Sequence, residues 1–178
     1  MLAHALFAAL QEERWPDVAS LFTAQSAERT KAHAVEMALD EERLRTEELA
    51  RQSQPGRIAR DLGPPWYFRR FGVASLDELR NLRARDVLSR LAAVESPSGV
   101  YSGRPDAESS IEYSIVRKVI SYHSIGSGAA RVVYEDKRTF DGILRVSERS
   151  LTLRQVEGQW LADDTAILFN FYHPYPPV

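Results

Sequence analysis

The sequence predicts an α+β fold in which N-terminal helices pack on a strongly bent antiparallel β-meander. Two observations predict it. Apolar residues recur at helical spacing through about the first hundred residues, and strand-like runs separated by short turns fill the last third of the chain. A length of 178 residues, 44% of them hydrophobic and 27% charged, is typical of one globular domain. We therefore expect a single domain over residues 1–178, with a helical part at 1–95 and the sheet at 111–171.

The helical part begins with an amphipathic helix and continues through a long charged one. An apolar stripe over residues 2–10 predicts a first helix that ends near Trp15, where Pro16 interrupts the pattern. A longer helix is predicted from about Ser26 to Arg51, where acidic residues four positions before arginines support it. The charged end of this helix is expected to face solvent.

The last helical block is predicted from a capping box. Ser75 and Glu78 have the spacing at which each side chain bonds a backbone N–H near the other, and leucines at helical spacing follow. The pattern predicts helix as far as about Val94. An aromatic cluster at residues 66–71 comes before it, and we expect this cluster to plug the open end of the core or to close a ligand pocket.

Strands of the sheet are predicted from runs of alternating apolar residues. The runs cover residues 114–125, 129–138, 143–156 and 159–171. A turn at Gly126-Ser127 would set Arg117 opposite Asp136 and Lys118 opposite Glu135, whereas a turn shifted by one residue would oppose like charges. Because opposite charges across a strand pair are favourable, we predict the first of these registers.

The predicted register assigns side chains of the first hairpin to the two faces of the sheet. Val119, His123, Val132 and Tyr134 share one face, because side chains alternate along a strand. Neither face is purely apolar. We therefore expect one face to line a cavity and the other to meet solvent or a partner.

The second hairpin is expected to add to the same concave face. Its predicted register places Trp160 and Asp164 on one face. In the strand before it, apolar residues occupy even positions up to Val146 and odd positions from Leu151. A bulge at residues 147–150 would explain this change of parity.

Three segments together resemble the nuclear transport factor 2-like superfamily. They are WPDVASLF at residues 15–22, ARVVY at 130–134 and LTLRQVEGQW at 151–160. The resemblance spans most of the chain and implies a cone-shaped, cystatin-like arrangement of helices against a bent sheet, the fold of polyketide cyclases, ketosteroid isomerases and many other bacterial proteins. It also implies a homodimer with an apolar pocket between sheet and helices.

One constellation is a candidate catalytic site. His123 supplies an imidazole base, Tyr134 a phenol and Asp164 a carboxylate, and all three face one cavity if the predicted register holds. The alternative is structural. In it, His123 lies exposed near a strand end, Tyr134 packs in the core and Asp164 marks the end of a strand.

The sequence leaves three functions open, of which we expect the first. It is a small-molecule-binding protein with an apolar ligand in a pocket lined by Val119, Val132, Trp160, Trp66 and Phe68. The second is a cofactor-free isomerase, cyclase or dehydratase in which His123 or Asp164 acts as general base. The third is a protein-interaction module that binds through its sheet.

A homodimer is expected from the second face of the first hairpin. That face mixes Ile120, Tyr122 and Val133 with Lys118 and Arg131, and a monomer would leave these apolar side chains partly in water. The superfamily resemblance implies the same assembly.

Composition and spacing argue against several other classes. The net charge is −2, and the arginine-rich stretch at residues 55–90 has interleaved acids, so we expect a solvated face and not a nucleic-acid site. The chain has no cysteine, and its four histidines lack ligand spacing, so neither a metal nor a cofactor is expected. No apolar run approaches the ~20 residues of a membrane span, and residues 2–10 lack the basic start of a signal peptide, so we expect a cytoplasmic protein.

Overall fold

The computed structural model describes residues 2–54, 61–94, 113–140, 142–165, 167 and 168. Within these residues, helices precede a four-stranded antiparallel sheet whose strands lie in sequence order, which confirms the predicted α+β fold. The helices are α1 (Leu2–Gln11), α2 (Trp15–Ser20), α3 (Ala24–Gln52), α4 (Trp66–Phe71), α5 (Leu76–Asn81) and α6 (Ala84–Val94). The strands are β1 (Tyr113–Gly126), β2 (Ala129–Phe140), β3 (Ile143–Val156) and β4 (Gln159–Ala162). No helix in this described part of the chain is long and apolar enough to cross a membrane.

Helix α3 begins at a side-chain cap. Thr23 has extended backbone, and its Oγ1 accepts a hydrogen bond from the backbone N–H of Ser26 at 3.1 Å. Small residues at helical spacing, Ala34 and Ala38, are buried against residues of α6. They leave room for the two helices to pack closely.

The predicted capping box is present at the start of α5. The Ser75 hydroxyl accepts from the backbone N–H of Glu78 at 3.1 Å, and the Glu78 carboxylate accepts from the backbone N–H of Ala74 at 2.7 Å. The predicted single block is nevertheless two helices. The backbone of Leu82 is extended, and α6 starts after it. The Arg83 carbonyl accepts hydrogen bonds from backbone N–H groups in the first turn of α6.

The register of β1 with β2 is as predicted at one end and shifted at the other. Val119 lies opposite Tyr134, and the two predicted opposite-charge pairs are present. Two shifts follow, between Val119 and Ser121 and between Ser124 and Gly126. The bulges bend β1, move the turn to residues 127 and 128, and place His123 opposite Arg131.

Strand β3 has no bulge, so the prediction of one at residues 147–150 is wrong. Its register with β2 runs without a shift from Ile143 to Arg154. Leu144 and Val146 are exposed on the face of the sheet away from the helices, which we call the outer face, whereas Leu151 is buried on the opposite, inner face. The apolar residues of β3 therefore move from even to odd positions because they change from the outer to the inner face, while the register with β2 stays the same.

Strand β4 is shorter than predicted. It ends at Ala162, whose backbone N–H donates to the Leu21 carbonyl at 2.8 Å and whose carbonyl accepts from the Thr23 N–H at 2.9 Å. These bonds join the sheet edge to the segment before α3. The predicted end of the fourth strand at 169–171 lies outside the described residues.

The inner face of the sheet packs on the helices in one hydrophobic core. Phe7 of α1 contacts Tyr134 of β2, with ring centroids 5.0 Å apart, and Phe22 is fully buried between α2 and the sheet. Burial of an apolar side chain of this size contributes about 1.5–3 kcal/mol. The sheet supplies to this core Val132, Tyr134, Leu151, Leu153 and Ala162.

A second core cluster lies among the helices. It joins α3, α4, α5 and α6 around the buried rings of Tyr67 and Phe71. The Tyr67 hydroxyl donates to Glu42 Oε1 at 2.5 Å. Burial, helped by this acceptor, raises the pKa of Tyr67 to about 12.

Candidate functional site

The predicted catalytic constellation does not assemble. Tyr134 is buried on the inner face, whereas the bulge at Ile120 turns His123 to the outer face, where it is exposed and its Nε2 lies 2.7 Å from Ser121 Oγ. The predicted common face of His123 and Tyr134 is therefore wrong. Asp164 follows the end of β4 and is partly buried.

The predicted ligand-binding residues lie in separate places. Val119 and Val132 pack with the helices in the first core cluster, while Trp66 and Phe68 pack against the second. Trp160 is 40% exposed on β4. In the described part of the chain, the two valines and the two aromatic side chains therefore belong to different core clusters.

A cluster of charged side chains occupies the inner face beyond the apolar core. In the strand register, Arg117 lies opposite Asp136 and Arg149 lies opposite Tyr134. Arg138 is two residues beyond Asp136 in β2 and so shares its face. We call Arg117, Asp136, Arg138 and Arg149 the arginine cluster.

Asp136 is the centre of the arginine cluster. It is 1% exposed, and its carboxylate takes two hydrogen bonds from Arg138, Nη2 to Oδ2 at 2.6 Å and Nε to Oδ1 at 3.2 Å. Arg149 Nε lies 3.4 Å from Asp136 Oδ2 and donates to Ser147 Oγ at 3.2 Å. The two guanidinium groups are thereby oriented by one buried acid.

Tyr134 lies at the boundary between the apolar core and the arginine cluster. Burial raises the pKa of the Tyr134 phenol, and the charge of Asp136 acts in the same direction, although the nearby arginines oppose them. The phenol is therefore neutral at neutral pH. In that form its hydroxyl can donate a hydrogen bond.

The charge and exposure of the cluster indicate what it can bind. It contains three guanidinium groups and one carboxylate, and a buried ionised group is costly unless oppositely charged groups surround it. The Arg149 side chain is 33% exposed, whereas that of Arg138 is 14% exposed and that of Asp136 is fully buried. Chemically, the arrangement holds guanidinium groups around a buried acid, with the Arg149 side chain partly in solvent.

Sequence reasoning missed the arginine cluster as a site, although it placed Arg117 opposite Asp136. The signal was the alternation of side chains along β2. The even-numbered positions that place Val132 and Tyr134 on the inner face also place Asp136 and Arg138 there. The bulge wrongly predicted at residues 147–150 left the face of Arg149 undetermined.

Comparisons with protein-family models, with curated proteins and with solved structures found no match. The superfamily resemblance therefore still rests on the three sequence segments and on the helix-then-meander order. In the described ranges, no group of three or more histidine, aspartate or glutamate side chains could hold a metal ion.

Proposed function

We propose that this chain is a small-molecule-binding protein of the nuclear transport factor 2-like kind, with its ligand seated on the inner face of the sheet beyond the helical core. The arginine cluster is the observation that carries the proposal. A sheet face whose only role is to pack against helices is normally apolar, because buried ion pairs are seldom more stable than apolar side chains of similar size.

The place of the ligand differs from that expected from the sequence. Val119 and Val132 are occupied by packing against the helices, so the apolar pocket cannot lie over them without displacing the core. Beyond the cluster, Ile115 and Ile143 are on the inner face by register, and Ile143 is 60% exposed. These two side chains offer an apolar surface beside the charged groups.

The enzyme alternative is less well supported. Its expected base was His123 or Asp164, and His123 lies on the opposite face of the sheet from the Tyr134 phenol. Asp164 remains the candidate base of this alternative.

We also propose that the chain is a homodimer that associates through the outer face. Val116, Leu144 and Val146 are 53–60% exposed there. Several exposed apolar side chains on one face of a sheet are typical of an interaction surface. The third function considered, a protein-interaction module, would use the same surface with a different partner.

A ligand screen on the full chain tests small-molecule binding. The panel contains small amphipathic molecules that are neutral, anionic or cationic, and the melting temperature is followed by scanning fluorimetry. A ligand that binds only the folded chain at a hundred times its Kd stabilises it by about 2.7 kcal/mol, so a saturable rise is expected with at least one compound. No saturable rise in any charge class would contradict the proposal.

A pair of adjacent variants tests the place of binding. Ile143 and Leu144 are both 60% exposed and lie on opposite faces of β3. Ile143→Thr is expected to weaken binding of the compound found in the screen, and Leu144→Thr is expected to leave it unchanged. Equal effects of the two variants would show that the ligand does not lie on the inner face.

A further inference from the structure

The outer face of the sheet carries an ordered pattern of charged and apolar side chains across β1, β2 and β3. We propose that this pattern binds a second copy of the chain in one orientation, in which Lys118 of each copy pairs with Glu148 of the other. This inference rests on the homodimer proposed above and specifies how its two copies meet. Exposure of the apolar side chains alone does not determine that geometry.

Three rows of the outer face run across the strands. The register places Val116, Lys137 and Val146 in the row that we call the valine row. On one side of it lies the charged row, which consists of Lys118, Glu135 and Glu148. On its other side lies the leucine row, which consists of Ser114, Thr139 and Leu144.

The charged row has opposite charges at its two ends. Lys118 at the β1 end and Glu148 at the β3 end are both exposed, and neither forms an ion pair with the described residues. Between them, the Glu135 carboxylate pairs with Lys137 of the same chain, with Nζ and Oε1 3.0 Å apart. Lys118 and Glu148 are therefore the charges of this row that a second copy can pair with.

A two-fold axis parallel to the strands fits this pattern. Two sheets that pack face to face with aligned strands lie about 10 Å apart. If the axis lies along β2, each row meets the same row of the other copy, and β1 of one copy lies over β3 of the other. Lys118 then faces Glu148, and Val116 faces Val146. Both contacts occur twice, because a two-fold interface repeats each of them.

A two-fold axis across the strands fits the pattern poorly. If it lies along the charged row, Lys118 faces Lys118 of the other copy and Glu148 faces Glu148, and these like charges repel each other. If it lies along the valine row, Leu144 covers Glu148 and removes that carboxylate from water without a cation beside it. The charge pattern therefore favours the axis parallel to the strands.

Reversal of each end charge tests the pairing. Lys118→Glu and Glu148→Lys are each expected to raise the dimer Kd of the full chain at least about tenfold, since like charges then face each other at two symmetric points. The double variant restores both opposite pairs and should have nearly the Kd of the unaltered chain. Sedimentation equilibrium measures these constants. An unchanged Kd in both single variants is the result expected from an axis across the strands, and it would overturn the proposal.

A mixture of the two single variants gives a complementary test. Each mixed dimer has two opposite-charge pairs, whereas each self dimer has two like-charge pairs. Native mass spectrometry with one variant isotope-labelled should therefore show mixed dimers well above the statistical half. The control mixture is Glu28→Lys with Lys31→Glu, which makes the same charge changes in α3 on the other side of the sheet, and it should mix statistically. Equal preference in the two mixtures would show general charge attraction and overturn the pairing.

Failure of this inference is distinguishable from failure of the proposed function. An unaltered chain that stays monomeric would overturn both the pairing and the dimer, while small-molecule binding is tested by the ligand screen. A dimer whose Kd ignores both charge reversals would overturn the pairing alone. If Lys118→Glu fails to fold, as judged by circular dichroism, Glu148→Lys decides the question, because its lysine lies opposite Glu135 in its own sheet and is favourable there.

Discussion

At the scale of single residues, Asp163 connects the sheet to the start of α3. Its side chain is 8% exposed and accepts hydrogen bonds from Thr23 Oγ1 at 2.8 Å and from Arg154 Nε at 2.9 Å. Burial alone would raise the pKa of Asp163, but the bonds from Thr23 and Arg154 and the charges of Arg154 and Arg29 outweigh it and lower that pKa. The ionised carboxylate therefore stabilises the fold.

Replacement of this carboxylate should destabilise the chain in a pH-dependent way. Asp163→Asn is expected to lower the free energy of unfolding by about 1–3 kcal/mol at pH 7, because buried donors lose a charged acceptor. The pKa of Asp163 is lower in the folded chain than its ordinary value of 3.8, so the ionised carboxylate stabilises the folded chain above pH 3.8. This stabilisation is lost as the pH falls through the pKa of the folded chain. The difference in free energy of unfolding between the unaltered chain and Asp163→Asn should therefore become smaller below about pH 4.

Urea denaturation at pH 7, 5 and 3 and at one protein concentration measures this difference. Asp40→Asn is the control, since Asp40 is 64% exposed on its side chain and its contact with Arg43 at 3.4 Å is an exposed helical pair. That variant should change stability by less than about 1 kcal/mol. Equal stability of the two variants at pH 7 would show that the Asp163 contacts contribute nothing.

At the scale of elements, the sequence predicted what local patterns determine. The limits of β3 were predicted correctly, because strong turn residues bound it on each side. The opposition of Val119 to Tyr134 also followed from charge pairing in the first hairpin. Local chemistry of this kind does not depend on the rest of the fold.

Bulges and faces were not predictable in the same way. The extra residue at Ile120 has no turn residue beside it, and it alone reverses the face of His123. Leu144 and Val146 have the residue types of a core, so their exposure on the outer face cannot be derived from alternation. The candidate site was missed for the same reason, since its face assignment needed the true register of β3.

The N-terminus of α3 gives an element-scale prediction. Thr23 is 3% exposed, caps Ser26 and donates to Asp163. Thr23→Ala is expected to lower the free energy of unfolding by about 0.5–2 kcal/mol, because the cap is lost and a buried acceptor loses a donor.

Thr46→Ala is the control. Thr46 is exposed in the interior of α3, and its hydroxyl donates to the Glu42 carbonyl, so alanine there should be neutral or slightly stabilising. Chemical denaturation of both variants checks this, and a larger loss from Thr46→Ala would contradict the capping role.

At the scale of the whole molecule, the two faces of the sheet have different roles in our proposals. The inner face packs against the helices and carries the arginine cluster, and the outer face carries the exposed apolar residues. Tyr122, which the sequence placed on the outer face, lies opposite Val132 and so belongs to the inner one. The proposed dimer surface is therefore centred on Val116, Lys137 and Val146, which lie in one row across β1, β2 and β3.

Disruption of that row should separate the dimer. An isologous interface brings the same patch of each subunit together, so Val146→Lys would introduce two new charges beside Lys137 of both chains and desolvate them. Light scattering after size exclusion at micromolar concentration should give twice the mass of one chain for the unaltered protein and the mass of one chain for Val146→Lys. Ile143→Lys, at a similarly exposed position on the inner face, should remain dimeric. An unaltered chain that elutes with the mass of one copy would show that the outer face is not a self-association surface, and the exposed valines would then need another partner.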